Sequence, residues 1–282
     1  MISVRGLKYW YPEAQNPTLD GVDFTVAAGQ LVAITGRSGC GKSTLLHCLK
    51  GLLPKLYGGR LEGCIEINGR DIAPLSVSEL AGLVGLVMQD PDTQLCNLFV
   101  KDEVAFGIEN LLVPREQCLQ QVHRALDVME LWDIADRQVH QLSGGQQQRV
   151  AIASVLAMSP PVLLLDEPTA NLDSKSGREI LQQIARLKHL GHTVLIVQHD
   201  LDDLVSQADG LLILDHGKVV AFDAPREVFS RYGERLTEDF GIGLPQVVSA
   251  ALKTRTLFHF DHLPLTPREF SDAVQVAAKC AP

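Results

Sequence analysis

The sequence has 282 residues, of which 46% are hydrophobic and 21% are charged, a balance typical of a packed globular protein. Its 34 acidic residues outnumber the 25 lysines and arginines, which gives a formal net charge of -9. An acidic chain is a poor electrostatic match for nucleic acid or for an anionic membrane surface. We therefore expect no nucleic-acid partner.

The chain contains no apolar stretch that approaches the ~20 residues needed to cross a bilayer. Its first residues are polar and strand-like and do not resemble a signal peptide. None of the six cysteines has CxxC spacing, which favours reduced thiols in a cytosolic protein over zinc or redox chemistry. A role at a membrane would therefore require a separate spanning subunit, contacted from the cytoplasmic face.

Strands and turns are predicted for the N-terminal part of the chain, with strands at 2–11 and 22–26. The apolar run 31–35 precedes a glycine-rich loop and is predicted to be a buried strand, and the helix that follows is predicted at 42–50. These three strands and one helix already combine the two kinds of element expected of an α/β fold.

Further buried strands are predicted at 83–88, 162–165 and 192–197, and helical patterns fill the spaces between them. In one of these, residues 174–189, apolar side chains recur at helical spacing. Strands that alternate with helices predict a mostly parallel sheet covered on both faces. Residues 211–222 then read as two strands around a His-Gly turn.

The character of the chain changes after Pro225. The remainder contains several prolines and no strong β pattern, and short helices are predicted at 246–253 and 267–278. We predict one α/β domain over residues 1–225 and a small C-terminal module over residues 226–282.

Residues 36–43, Gly-Arg-Ser-Gly-Cys-Gly-Lys-Ser, fit the phosphate-loop pattern GxxxxGK[ST] between a predicted strand and a predicted helix. Glycines let the backbone close around phosphate, and the start of the helix adds partial positive charge. In this pattern Lys42 reaches the β- and γ-phosphates and Ser43 ligates Mg²⁺.

The strand predicted at 162–165 is followed by Asp166 and Glu167. Buried acids are costly unless they are paired or face a metal ion, so Asp166 suits a Mg²⁺ shell. Glu167 suits a base that polarises the attacking water. A strand that simply runs into solvent would give the same pattern, and it is the upstream phosphate loop that favours the functional interpretation.

A second anion-binding helix end is predicted at Leu-Ser-Gly-Gly-Gln, residues 142–146, ahead of the helical pattern 147–158. Ser143 can cap this helix, and Gly144 and Gly145 expose N–H groups. One nucleotide can use both helix ends only if two chains meet head to tail. A GTPase would be expected to carry an NKxD base-reading motif, and the sequence has none.

Together these motifs resemble those of ABC transporter ATP-binding proteins, over nearly all of residues 1–225. The resemblance implies an α/β P-loop fold with a mostly parallel sheet core, an antiparallel β subdomain, a helical subdomain at about 90–160 that carries the signature motif, and the small C-terminal module. It also implies ATP and Mg²⁺ as cofactors, and a second ATPase subunit, identical or paralogous, as partner.

The resemblance further assigns roles to individual residues. The ring of Tyr11 stacks on adenine, and Asp173 belongs to the D-loop. The phosphate loop comprises Gly36, Arg37, Ser38, Gly39, Cys40, Gly41, Lys42, Ser43 and Thr44. The signature motif comprises Ser143, Gly144, Gly145 and Gln146. The Mg²⁺ shell draws on Ser43, Gln89 and Asp166. Catalysis rests on Glu167, on His199 as the switch histidine, on Lys42 and on Gln89.

Simpler interpretations stay open for three of these positions, Tyr11, Cys40 and His199. The stacking ring could belong to a neighbour of Tyr11 in the aromatic run 9–11. Cys40 is either a small filler or a thiol whose alkylation blocks ATP, and a lone histidine such as His199 is often structural. His259 and His262 could suggest a metal pair, but without further ligands a solvated turn is favoured.

Five local segments resemble, within the ABC family, the ATPase subunits of energy-coupling factor (ECF) transporters: residues 54–59, 89–94, 103–110, 243–246 and 265–270. That resemblance implies uptake of a vitamin or a transition-metal ion, a transmembrane T-component, a substrate-binding S-component, and a peripheral position at the cytoplasmic face of the membrane. It also suggests that the C-terminal module helps to pair the ATPases.

Two other classes stay open: the ATPase of a conventional ABC importer or exporter, and a soluble ABC ATPase without a transport role. The single phosphate loop, the lack of a heptad run and the net charge of -9 argue against the soluble class.

Overall fold

The computed structural model describes residues 1–258 and 260–280, with side chains as far as Gln275. One member of the candidate metal pair, His259, and the side chain of Cys280 lie outside this description.

The strands of the described residues form two sheets. The smaller sheet is antiparallel, has the order β2-β1-β4-β5, and consists of β1 (Ile2–Trp10), β2 (Leu19–Val26), β4 (Arg60–Ile67) and β5 (Arg70–Asp71). The larger sheet consists of β3 (Leu31–Thr35), β6 (Val84–Val87), β7 (Val162–Asp166), β8 (Thr193–Val197), β9 (Gly210–Asp215) and β10 (Lys218–Asp223). Its order is β10-β9-β3-β8-β7-β6, and only the hairpin partner β10 runs antiparallel.

The α-helices of the described residues are α1 (Lys42–Lys50), α2 (Val77–Ala81), α3 (Val100–Asn110), α4 (Arg115–Val128), α5 (Gly144–Ala157), α6 (Ser174–Leu187), α7 (Pro225–Tyr232), α8 (Arg235–Phe240), α9 (Gln246–Thr254) and α10 (Pro267–Cys280). Helices α3, α4 and α5 follow β6 and precede β7 in the chain. The three helices pack on one another.

The central strands of the larger sheet are buried on both faces. In β3, Leu31 and Ala33 belong to one core cluster, whereas Val32 and Ile34 belong to another. Successive side chains of a strand point to opposite faces, so an unbroken aliphatic run supplies both cores at once. This explains why the sequence shows continuous apolar runs here rather than alternation.

The predicted fold class, a mostly parallel sheet with an antiparallel β unit and helices, is confirmed. Strand β3 and helix α1 have the predicted limits. The sequence interpretation missed α7 and α8, which are short and rich in charged residues. The limits of the helical subdomain and the boundary at residue 225 stay predictions.

The segment that follows β10 shares the main core. Phe229 of α7 is fully buried, and it belongs with Leu236 and Ile242 to the cluster that also contains Leu211 and Ile213 of β9. The first C-terminal helices therefore extend the apolar layer on one face of the large sheet. No helix in the described part of the chain is both long enough and apolar enough to cross a bilayer.

Because of this shared core, Phe229→Ala should lower the free energy of unfolding of the whole protein by about 3–5 kcal/mol, through lost burial and the cavity that remains. Urea denaturation followed by circular dichroism measures the change. Leu257→Ala is the matched control, since Leu257 is 75% exposed and should shift stability by less than about 0.5 kcal/mol. A separate early transition in Phe229→Ala, with the main transition unmoved, would contradict the shared core.

Candidate nucleotide-binding site

The candidate site lies at the carboxyl edge of the large sheet. The phosphate loop, residues 36–44, follows β3, and the loops that carry Gln89, Glu167 and His199 follow β6, β7 and β8. Parallel strands deliver their carboxyl ends to one edge, where α/β proteins bind ligands. The topology therefore brings together residues that are up to 163 positions apart, from Gly36 to His199.

Glycine is required in the phosphate loop for two reasons. Gly36 and Gly41 have φ values of 155° and 109°, conformations that L side chains rarely adopt. A Cβ at Gly36 would lie 2.0 Å from the carbonyl oxygen of Leu214, and one at Gly41 would lie 2.9 Å from Leu19 Cδ2. The loop can therefore follow this path only with bare backbone, as a cradle for phosphate requires.

Lys42 is folded across the phosphate loop. Its side chain is 5% exposed, and Nζ donates to the carbonyl oxygens of Gly36 at 2.9 Å and Arg37 at 3.0 Å. These carbonyls hold the ammonium group at the loop. There it can exchange its carbonyl acceptors for the oxygens of a bound phosphate. Its position agrees with the role predicted for it.

Asp166 and Ser43 offer oxygen ligands beside the loop. Asp166 is 9% exposed and accepts a hydrogen bond from the Ser43 hydroxyl. Within the described part of the chain, its Oδ1 has no hydrogen-bond partner. Burial, with a smaller contribution from the charge of Glu167, raises the pKa of Asp166, although the Ser43 hydrogen bond opposes the rise. An orphaned buried carboxylate oxygen next to a hydroxyl fits a hard divalent cation such as Mg²⁺.

Two of the predicted catalytic side chains, His199 and Gln89, converge on the carboxylate of a third, Glu167. His199 Nε2 lies 2.9 Å from Oε1, and Gln89 Nε2 donates to Oε2 at 3.4 Å. Glu167 also has φ of 45°, a strained conformation for a residue with a side chain, and its N–H donates to Val197 O at 3.1 Å. Strain of this kind is typical of functional sites whose surroundings hold the residue in place.

The three aromatic side chains of residues 9–11 lie in different environments. Tyr9 is fully buried, and Trp10 lies under the guanidinium of Arg60 at 4.1 Å. Tyr11 is 39% exposed, and its hydroxyl lies 3.1 Å from Thr44 Oγ1 in the phosphate loop. Tyr11 is therefore the ring of the three that stands beside this loop and is open to solvent, which supports its predicted role.

Cys40 fits the simpler of its two interpretations. It is 6% exposed, and its Sγ lies 2.8 Å from the point that a Cβ of Gly36 would occupy. Burial raises the pKa of the Cys40 thiol, which reduces the reactive thiolate. The side chain fills space behind the loop, and its geometry does not favour alkylation.

The predicted signature motif starts α5. Ser143 caps this helix: its hydroxyl accepts from Gln146 N at 3.4 Å, and Ser143 N donates to Gln146 Oε1 at 3.0 Å. This reciprocal capping box accounts for the Ser and Gln of the motif. A Cβ on Gly145 would meet Ser176 at 3.2 Å, so the start of α5 lies against the start of α6.

Asp173 caps α6. Its Oδ1 accepts from the amides of Lys175 at 3.0 Å and Ser176 at 3.1 Å. Hydrogen bonds from Ser176 lower the pKa of Asp173, so it stays charged at the helix start. Together with Glu167 and His199 it lines a cleft of about 380 Å³.

Sequence reasoning missed two polar neighbours of the site. His47 stands one turn after Ser43 on α1; burial lowers the pKa of its imidazole, although the charge of Asp166 opposes this. Gln198 is 6% exposed, and its Nε2 donates to Thr169 Oγ1 at 2.9 Å, so it ties the loop after β8 to the loop after β7. The i, i+4 spacing of Ser43 and His47 was the available signal. In the described residues, no group of three or more His, Cys, Asp or Glu could hold a metal ion.

The strand–glycine loop–helix unit, with an acidic strand end beside it, defines the chain as a P-loop nucleotide-binding protein. The family model of the ABC transporter matches residues 19–170. The chain belongs to the ABC transporter ATP-binding family, and its domain is an ABC ATPase domain.

Relatives of known family agree with this assignment. A protein of Methanosarcina mazei, named as an ABC transporter ATP-binding protein, is 38% identical over 249 residues, which are 88% of this chain. The chain spans only 42% of the length of that protein. The energy-coupling factor transporter ATP-binding protein EcfA1 of Lacticaseibacillus paracasei is 39% identical over 256 residues, and the match covers 90% of each chain.

Among solved structures, cbiO1 of Clostridium perfringens, a part of the ABC transporter complex cbiONQ, is similar to the present fold. The two share 33% sequence identity with a TM-score of 0.74, and the match covers 84% of this chain and 94% of that one. At this identity the likeness extends beyond the fold to the family.

The desolvated carboxylate of Asp166 should cost stability. Its pKa is raised in the folded state, so the fold binds the proton more tightly than the unfolded chain does, and stability falls as pH rises from the ordinary value of 3.8 through the raised value. Asp166→Asn should therefore be more stable than the wild type at pH 7, by on the order of 1–3 kcal/mol. Urea denaturation without nucleotide measures this, and the difference should shrink towards pH 4. A loss of stability at pH 7 would refute the orphaned-charge interpretation.

Proposed function

We propose that the protein is the ATP-hydrolysing subunit that powers uptake of a vitamin or a transition-metal ion through an ECF-type ABC transporter. The observation that carries the ATPase role is the convergence of His199 and Gln89 on the Glu167 carboxylate, at the same sheet edge as the phosphate loop. The ECF assignment is supported by the relative of L. paracasei and by the similarity to cbiO1.

In the proposed reaction the phosphate loop binds the triphosphate through its backbone N–H groups and Lys42. Glu167 accepts a hydrogen bond from the attacking water and orients it towards the γ-phosphate. His199, at 2.9 Å from Glu167, fixes the carboxylate and can donate to a phosphate oxygen. Positioning and charge stabilisation supply most of the catalysis in such phosphoryl transfers.

Ser43, Asp166 and Gln89 are the residues that would hold Mg²⁺. The bound ion would neutralise charge on the β- and γ-phosphate oxygens. The Oδ1 of Asp166 supports this assignment, because among the described residues it is buried without a hydrogen-bond partner.

Pairing of two chains is the second part of the proposal. Ser143–Gln146 form a capped helix start that lies against the α6 start rather than in the phosphate loop of its own chain. A partner chain placed head to tail would bring this helix start to the γ-phosphate. ABC ATPases function as dimers with transmembrane components, which supports the proposed pairing. We propose that the C-terminal module, residues 226–282, contributes to this pairing.

We further propose a T-component and an S-component as membrane partners, contacted from the cytoplasmic face. The segment after Gln89 supports a docking role: Asp92 and Leu98 are exposed there, next to the site. The alternative is a conventional ABC importer or exporter, which uses the same chemistry with another spanning partner. An ATP-bound exporter is also similar in structure, with a TM-score of 0.69.

Glu167→Gln should bind ATP and lose turnover by about 10²–10⁴-fold, because the carboxylate that orients water is gone. The variant should accumulate as an ATP-bound pair, seen by light scattering after size exclusion. Glu179→Gln, on the exposed face of α6, is the matched control and should turn over normally. Normal ATPase activity of Glu167→Gln would remove Glu167 as the base.

Affinity purification of the tagged chain from detergent-solubilised membranes tests the transporter type. We expect one T-like and one small S-like spanning protein, identified by mass spectrometry. Asp92→Arg in the exposed segment after Gln89 should reduce their recovery at least about tenfold by charge reversal, whereas Asp133→Arg, on an exposed turn of the helical region, should not. Recovery of a conventional permease would discard the ECF assignment and keep the ATPase.

A further inference from the structure

The side chain of Arg37 leaves the phosphate loop and reaches the C-terminal helices. Its guanidinium donates to the carbonyl oxygen of Asp239, in the last turn of α8. Gly241, which ends α8 at φ of 59°, leaves room for it, since a Cβ there would lie 3.3 Å from Arg37 Nε. The last carbonyls of a helix have no partner within the helix, so Arg37 supplies one from outside.

The loop after β8 makes a matching contact. Asp202, three positions after His199, accepts a hydrogen bond through Oδ1 from Gln246 N at 2.6 Å. Gln246 is the first residue of α9, and the residue before it, Pro245, provides no side-chain cap. Asp202 N in turn donates to Asp200 Oδ1 at 3.0 Å. The loop that carries the predicted switch histidine thus caps α9 from a distance.

Residues 239–246, here called the bridging segment, run between these two contacts. Ile242 within it is 4% exposed, and Leu244 packs against the main core. The segment is therefore anchored to the core in the middle and held at its two ends by the two loops of the nucleotide site. A cation at a helix C-terminus and an anion at a helix N-terminus are the favourable signs for both caps.

We infer that Arg37 and Asp202 are positioning residues. Through them, α8 and α9 hold the phosphate loop and the switch-histidine loop in a fixed position relative to each other. The inference rests on the proposed nucleotide site. The backbone carbonyl of Arg37 accepts a hydrogen bond from Lys42 Nζ at 3.0 Å. A shift of Arg37 after loss of its side-chain contact would therefore move a hydrogen-bond acceptor of Lys42. The two effects are thermodynamically linked. The free energy by which bound nucleotide stabilises the bridging segment must therefore equal the free energy by which the ordered segment favours nucleotide binding.

Hydrogen–deuterium exchange of the full chain, with and without Mg-ADP, tests this linkage. In the wild type, Mg-ADP should slow exchange of the amides in the bridging segment. Arg37→Ala should lose most of this protection and bind Mg-ADP about three- to tenfold more weakly, the worth of one hydrogen bond. Arg37→Lys, which keeps a donor, should restore part of both. Arg235→Ala is the matched control, because among the described residues Arg235 pairs with the exposed side chain of Asp239, at 3.2 Å, and not with either loop of the nucleotide site.

Asp202 provides an independent pair of variants. Asp202→Ala should lower the Mg-ADP-dependent protection at the start of α9, whereas Asp202→Asn keeps an acceptor oxygen and should retain it. Wild-type affinity and wild-type protection in both Arg37→Ala and Asp202→Ala would overturn the inference and leave the ATPase proposal intact. Failure of the wild type to bind Mg-ADP would instead remove the nucleotide site and this inference with it.

Discussion

The parallel hydrogen-bond ladder around β3 is the interaction on which the site depends. Ile34 of β3 pairs with Val197 of β8, and the ladder continues beyond the strands, because Gln198 N donates to Ile34 O at 3.0 Å. On the next strand, Glu167 N donates to Val197 O at 3.1 Å. These bonds fix the positions along the strands at which the loops after β3, β7 and β8 leave the sheet. A slip of one residue would turn the alternating side chains to the wrong face and separate the loops.

The site holds energetic costs that the surrounding sheet must offset. Asp166 carries a buried oxygen that has no hydrogen-bond partner among the residues that the structure describes, and Glu167 adopts a left-handed backbone conformation. Each cost is on the order of 1–3 kcal/mol. They persist because β7 and β8 are buried on both faces and cannot relax without losing core contacts. The chemistry is thus placed at the edge of a sheet whose central strands are buried on both faces.

The sequence predicted the central strands well, because a parallel sheet covered on both faces requires unbroken aliphatic runs. Strand β3 is an example, and helix α1 after it also has the predicted limits. Helices α7 and α8 were missed because eight and six residues with many charges give too few turns to show a periodic pattern.

Of the site, the phosphate loop, the acidic strand end and the anion-binding helix end at 142–146 were predicted from residue types, and the other roles came from resemblance. Contacts between distant segments could not be read in this way. Arg37 and Asp239 are 202 positions apart, and nothing in either local pattern indicates the other. The same holds for Gln198, whose buried amide finds Thr169 only in the folded chain. Local patterns specify elements, whereas such pairs depend on how the elements are assembled.

The left-handed backbone at Glu167 also bears on how this position can change over time. Glycine, and to a lesser degree asparagine, adopt φ near 45° more easily than glutamate does. Substitution of Glu167 by either residue would relieve the backbone strain and remove the carboxylate at the same time. Folding stability therefore favours an inactive site, and only selection for turnover can maintain glutamate there. Where two such subunits share the work of one transporter, the copy under weaker selection would be expected to lose its glutamate first.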